Sequence, residues 1–143
     1  MLVKQISIFL ENRVGRLQEV TDVLTQADIN IRALSLADTS DFGILRLIVN
    51  RPDEAQNVLK KQGFTVKENE VIAVEVEDRP GGLAKILGIF RTAGISVEYM
   101  YAFVERKSAH AVMIFRVESN AKAIKGLQDG GVSLLSDTDV YQL

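Results

Sequence analysis

Residues 6–31 read ISIFLENRVGRLQEVTDVLTQADINI, and residues 72–97 read IAVEVEDRPGGLAKILGIFRTAGISV. Glu11 aligns with Glu77, and the offset holds without a gap across the whole window. Ile6/Ile72, Glu11/Glu77, Arg13/Arg79, Gly15/Gly81, Leu17/Leu83, Ala27/Ala93 and Ile29/Ile95 are identical pairs. Self-similarity at a fixed offset marks a repeated supersecondary unit, so the fold question reduces to one unit read twice.

Each copy opens with a short, apolar, β-branched run, residues 2–10 and 71–77, which predicts a strand. Leu17, Val20, Leu24 and Ala27 then recur at helical spacing, as do Leu83, Ile86, Phe90 and Ala93. Asp28 and Gly94 suit the left-handed conformation that ends a helix. Second strands follow, INIRALSLA and ISVEYMYAFV; alternation puts Ile95, Val97, Tyr99, Tyr101 and Phe103 on one face. The loops TSDFG and ERKSAH lead to third strands, ILRLIV and VMIFRV. His110 now aligns with Phe42, so the second loop is two residues longer.

A further helix begins at Pro52, with Asp53 and Glu54 at its positive end and Lys60 and Lys61 at its negative end. Residues 120–129 form the matching helix, and short strands at 64–68 and 132–135 close each copy. The order strand, helix, strand, strand, helix, strand describes a ferredoxin-like βαββαβ unit, an antiparallel sheet with two helices on one face. The fold class is therefore α+β, with unit boundaries at 1–69 and 70–143. Asn69 and Glu70 alone link the copies, a reach of roughly 7 Å. Edge-to-edge pairing of the two sheets through their second strands would need roughly 29 Å. A strand exchange relieves that conflict, and the tail at 139–143, which aligns with 71–75, is the expected exchanged strand.

Composition narrows the function. The 143 residues are 47% hydrophobic and 25% charged, with a formal charge of −2, so nothing draws the chain to nucleic acid or an anionic membrane. Without cysteine there is no disulfide, thiolate metal site or thiol nucleophile. His110 is the only histidine, so no triad or two-histidine metal site can be built, and it reads as a strand-edge residue. Glu68, Glu70, Glu75, Glu77 and Asp78 read as a solvated face rather than an acid–base or metal site. Phosphate-loop and dinucleotide fingerprints are missing. Catalysis, metal and cofactor are not expected. The opening residues lack the apolar run of a signal peptide, and the expected location is cytoplasmic.

What the two copies share most closely is the strand-to-helix bend: Glu11-Asn12-Arg13-Val14-Gly15-Arg16-Leu17 and Glu77-Asp78-Arg79-Pro80-Gly81-Gly82-Leu83. A glycine there lets a ligand or backbone come close to a helix start. The first amides of a helix have no partner inside it and can hold a carboxylate. Asn12 or Asp78 can cap the helix or accept from an ammonium group. Amides beside an acceptor suit a zwitterion, meaning a free amino acid; the same residues also serve a plain helix cap and tight turn.

The pattern [N/D]-R-[V/P]-G-x-L after a strand resembles the ACT domain, a small-molecule-sensing module of amino-acid metabolism. The resemblance covers both halves, with Val14 standing where the family usually has proline. It implies ligand contacts from Asn12, Gly15 and Asn30 in the first copy and from Asp78, Gly81 and Ser96 in the second. Val14, Pro80, Gly82 and Leu83 complete the implied binding loops. The family usually forms its pocket between two units. The chain is most similar to small proteins made of two ACT units alone. The function implied is a non-catalytic sensor of a free amino acid, a homodimer that acts on a partner enzyme or regulator. The alternative is a protein-interaction module that needs no ligand.

Overall fold

The computed structural model describes residues 2–38, 41–104 and 110–142. The first unit comprises Lys4–Asn69. Its elements are β1 (Leu2–Glu11), α1 (Arg16–Gln26), β2 (Ile31–Asp38), β3 (Phe42–Val49), α2 (Pro52–Lys61) and the opening residues of β4 (Thr65–Glu77). The second unit takes Glu70 onward, with Leu2 and Val3. It holds the rest of β4, then α3 (Gly82–Thr92), β5 (Val97–Val104), β6 (His110–Val117), α4 (Asn120–Asp129) and α5 (Asp137–Tyr141).

In the first unit β3 lies antiparallel between β2 and β1, and β4 follows β1. This is the ferredoxin-like order. Alternate residues of β1 (Ile6, Ile8, Leu10) and of β3 (Leu45, Leu47, Val49) point to one face. There they bury Val20 and Leu24 of α1 and Ala55 and Leu59 of α2. In the second unit β6 lies between β4 and β5. Ile72, Val74 and Val76 of β4 meet Ile86 and Phe90 of α3 and Ala123 and Leu127 of α4. The Phe90 and Phe115 rings meet edge to face, 5.1 Å apart at 89°. Both copies are thus two helices on one sheet face, as the repeat predicts.

Four expectations are corrected. The linker Asn69–Glu70 is not a break, because β4 runs unbroken from Thr65 to Glu77. Ser7 donates to the Asn69 side chain at 3.0 Å, and Arg116 donates to the Glu70 carbonyl at 3.1 Å, so these polar residues are satisfied within a strand. The strand expected at 132–135 shrinks to one bridge, Leu134 to Val74, flanked by hydrogen bonds from Glu75 to Ser133 and from Leu135 to Ala73.

The tail expected as a strand at 139–143 is instead helical over Asp137–Tyr141; Leu143 lies outside the described residues. The reason is a reciprocal cap. The Asp139 amide donates to Ser136 Oγ, and the Ser136 amide donates to Asp139 Oδ2, each at 3.1 Å. Leu2, not the tail, packs onto the second unit's core.

The fourth correction concerns β5. A register shift between Val97 and Tyr99 breaks the alternation, so Val97 and Met100 oppose Val117 and Phe115 of the core while Tyr99 opposes Arg116. Of the two hairpin loops compared in the sequence, 39–40 and 105–109 lie outside the described residues.

Two outcomes follow from this packing. Replacing Phe90 with alanine should cost about 3–5 kcal/mol in urea denaturation, since its ring is fully enclosed. The Ser136 hydroxyl and amide hold the Asp139 carboxyl below its usual pKa. Its stabilisation of α5 is therefore present above the unfolded pKa and lost as pH falls through the lowered folded value. The protection factor of the Val140 amide, its exchange rate relative to that of an unprotected amide at the same pH, should fall on acidification in the wild type, and Asp139→Asn should abolish that dependence.

Candidate ligand site at the strand-to-helix bends

Both bends turn on a glycine with positive φ, Gly15 at 86° and Gly81 at 89°. That left-handed geometry costs other residues roughly 1–2 kcal/mol. It folds the chain back within one turn, so the Arg16 amide reaches the Arg13 carbonyl at 3.3 Å and the Gly82 amide reaches Arg79 at 3.0 Å. No side chain caps either helix. After those two bonds, the amides of Leu17 and Gln18, and of Leu83 and Ala84, meet no backbone acceptor among the described residues. An uncapped first turn of this kind accepts a negative charge.

The expected site residues fall in several places. Asn12 does not cap α1; its side chain donates to Asp38 Oδ1 at 3.2 Å, which fastens the bend to the end of β2. Val14 is fully exposed. The Asn30 amide donates to Asn50 Oδ1 at 3.0 Å, and the Asn30 carbonyl accepts from the Asn50 amide at 3.1 Å, so its backbone ties β2 to the end of β3. Asp78 is exposed beside the second bend, Leu83 is half-buried against the second core, and Ser96 is exposed before β5.

Pro80, Gly81 and Gly82 do come together, in the wall of a cavity of about 340 Å³ within the second unit. Its other walls are Glu75, Val76 and Glu77 of β4, Arg79 of the bend, Lys85 and Ile86 of α3, His110 of β6, and the segment 131–133. His110 Nδ1 stands 3.5 Å from Glu75 Oε1, and Arg79 is ion-paired with Glu77. The cavity wall therefore carries the carboxylates of Glu75 and Glu77 together with the basic side chains of Arg79 and Lys85. The motif reading missed Glu75, Lys85, His110 and Ser133. Their signal was faint: Glu75 and His110 are polar where the first copy has Phe9 and Phe42, and Lys85 reverses the charge of Glu19.

Among the described residues no group of three or more His, Cys, Asp or Glu is placed to hold a metal ion. No described helix is long and apolar enough to cross a membrane.

Compared with known families, residues 1–143 match the ACT domain pair. The chain belongs to that family. This ACT domain pair is similar to a crystal structure of a Bacteroides thetaiotaomicron protein: 43% identity, a TM-score of 0.95, and coverage of 100% of this chain and 98% of that one. The ligand-free regulatory subunit of aspartate kinase from Thermus thermophilus superposes with a TM-score of 0.65 at 16% identity, over 90% of this chain and 93% of that one. The corresponding Thermus flavus subunit gives 0.61 at 15%, over 90% and 92%. At such identities the likeness to the kinase subunits is one of fold. No curated protein matches the ACT pair.

The two glycines of the second bend should respond differently to alanine. At Gly81 the added methyl group meets open space, and only the left-handed backbone is strained, for a loss of about 1–2 kcal/mol. At Gly82 it runs into the Glu77 carbonyl oxygen, so the helix start must shift. Urea denaturation should therefore rank Gly82→Ala as the more damaging change.

Proposed function

We propose that this ACT domain pair is a non-catalytic sensor of a free amino acid that regulates a partner in amino-acid metabolism. The observation that carries the reading is the cavity under the second bend, whose wall holds the basic side chains of Lys85 and Arg79 together with the carboxylates of Glu75 and Glu77. The carboxylate of a free amino acid fits the first group and its ammonium the second. The kinship of fold with regulatory subunits of aspartate kinase supports a regulatory output. The proposed mechanism is a shift of population: the amino acid favours the arrangement it binds best, and a partner enzyme or regulator reads the change. In this proposal the chain works as a homodimer in the cytoplasm, and an ACT unit of the partner chain completes the ligand's enclosure.

A second reading has its own observation. Leu34 and Leu36 on edge strand β2 are 57% and 53% exposed, an apolar stripe on an unpaired sheet edge. Such an edge suits a protein-interaction module whose partner binds with or without a ligand.

A thermal-shift screen of the standard amino acids separates the two. Binding adds RT ln(1 + [L]/Kd), about 2.7 kcal/mol at a hundredfold excess over Kd. That should raise Tm by several degrees for at least one compound. A flat response to all of them at millimolar concentration would favour the interaction module.

A further inference from the structure

We infer that the chain has one amino-acid site, under the second bend, and that its own Arg16 fills the corresponding space under the first. The inference rests on the function proposed above and specifies which copy binds and how the ligand is oriented.

The Arg16 side chain is only 16% exposed. Its Nη1 lies 2.6 Å from Glu19 Oε2, its Nε lies 3.6 Å from Glu11 Oε2, and its guanidinium carbon sits 4.3 Å from the centre of the Phe64 ring. Those three neighbours align with Lys85, Glu77 and Val132 of the second copy. All three line the cavity. Arg16 itself aligns with Gly82, which has no side chain. The residues that enclose Arg16 in the first copy thus have their counterparts in the cavity wall of the second, where Phe64 gives way to the smaller Val132.

The exchanged residues also set the charge. Under the first bend Glu11 lies 3.2 Å from Arg13 and 3.6 Å from Arg16, Arg16 also meets Glu19 at 2.6 Å, and the Phe64 ring lies beneath its guanidinium. Under the second, Glu75 stands in place of Phe9 and Lys85 in place of Glu19. The wall also holds Arg79, ion-paired with Glu77, and His110, 3.5 Å from Glu75 Oε1, so both signs of charge line it and a ligand of a single sign meets its like. A zwitterion answers both, its ammonium toward the glutamates and its carboxylate toward the basic side chain of Lys85. The apolar wall of Ile86 and Val132 then faces an uncharged side chain. The ligand class is a neutral α-amino acid.

Isothermal titration of the full chain with the standard L-amino acids, one at a time, tests this. The expected result is one site per chain for an uncharged amino acid, weakened about tenfold or more by Lys85→Glu. Lys85 is exposed, so this variant should keep the fold, which circular dichroism checks. In Arg16→Ala, propylguanidinium should restore part of the lost Tm while leaving the wild type unmoved. Two sites per chain, unchanged affinity in Lys85→Glu, or no recovery of Arg16→Ala would overturn the inference and leave the sensor reading standing. If no amino acid binds the wild type at all, the sensor reading fails and takes this inference with it.

Discussion

A positive φ at one glycine, Gly15 in the first unit and Gly81 in the second, is the constraint on which the rest of each bend depends. It turns the chain from a central strand into a helix without a side-chain cap, so the helix starts directly over the strand's end. The same geometry leaves amides in the first helical turn without a backbone acceptor. Fold and candidate site thus share one cause. The core needs the helix laid back on the sheet, and the tight turn that achieves this presents donors to whatever occupies the space beside it.

Duplication gives each bend a control in the other copy. The two glycines adopt the same left-handed conformation, with φ values of 86° and 89°. The side chains around that backbone have diverged. One bend carries Arg16 locked among Glu11, Glu19 and Phe64; the other carries Gly82 and a cavity with acidic and basic walls. Maintaining that space has a structural requirement of its own, because Gly82 lies so close to the Glu77 carbonyl that any side chain forces the helix to move.

Much of the fold was legible because its signals are local and occur twice. Helical spacing at Val20 and Leu24, repeated at Ile86 and Phe90, and Pro52 at a first helical turn need no knowledge of distant contacts. The errors came where a longer-range or finer interaction decides. Asn69 and Glu70 look like a linker, but Ser7 and Arg116, far away in sequence, satisfy them inside a strand. The Ser136–Asp139 cap was readable in principle, yet alignment with a strand in the other copy masked it. The bulge after Val97 leaves no composition signal and still moves Tyr99 to the opposite face from the core. At the site, the glycine bend was visible, while the cavity depends on residues 131–133 that no motif connects to it.

The most direct test of the central claim is a backbone-amide NMR titration of the full chain with the amino acid that most raises Tm. The account predicts saturable shifts at Gly81, Gly82, Leu83 and Lys85, with Gly15, Arg16 and Leu17 unmoved. Shifts confined to the exposed edge around Leu34 and Leu36, with the second bend silent, would contradict it.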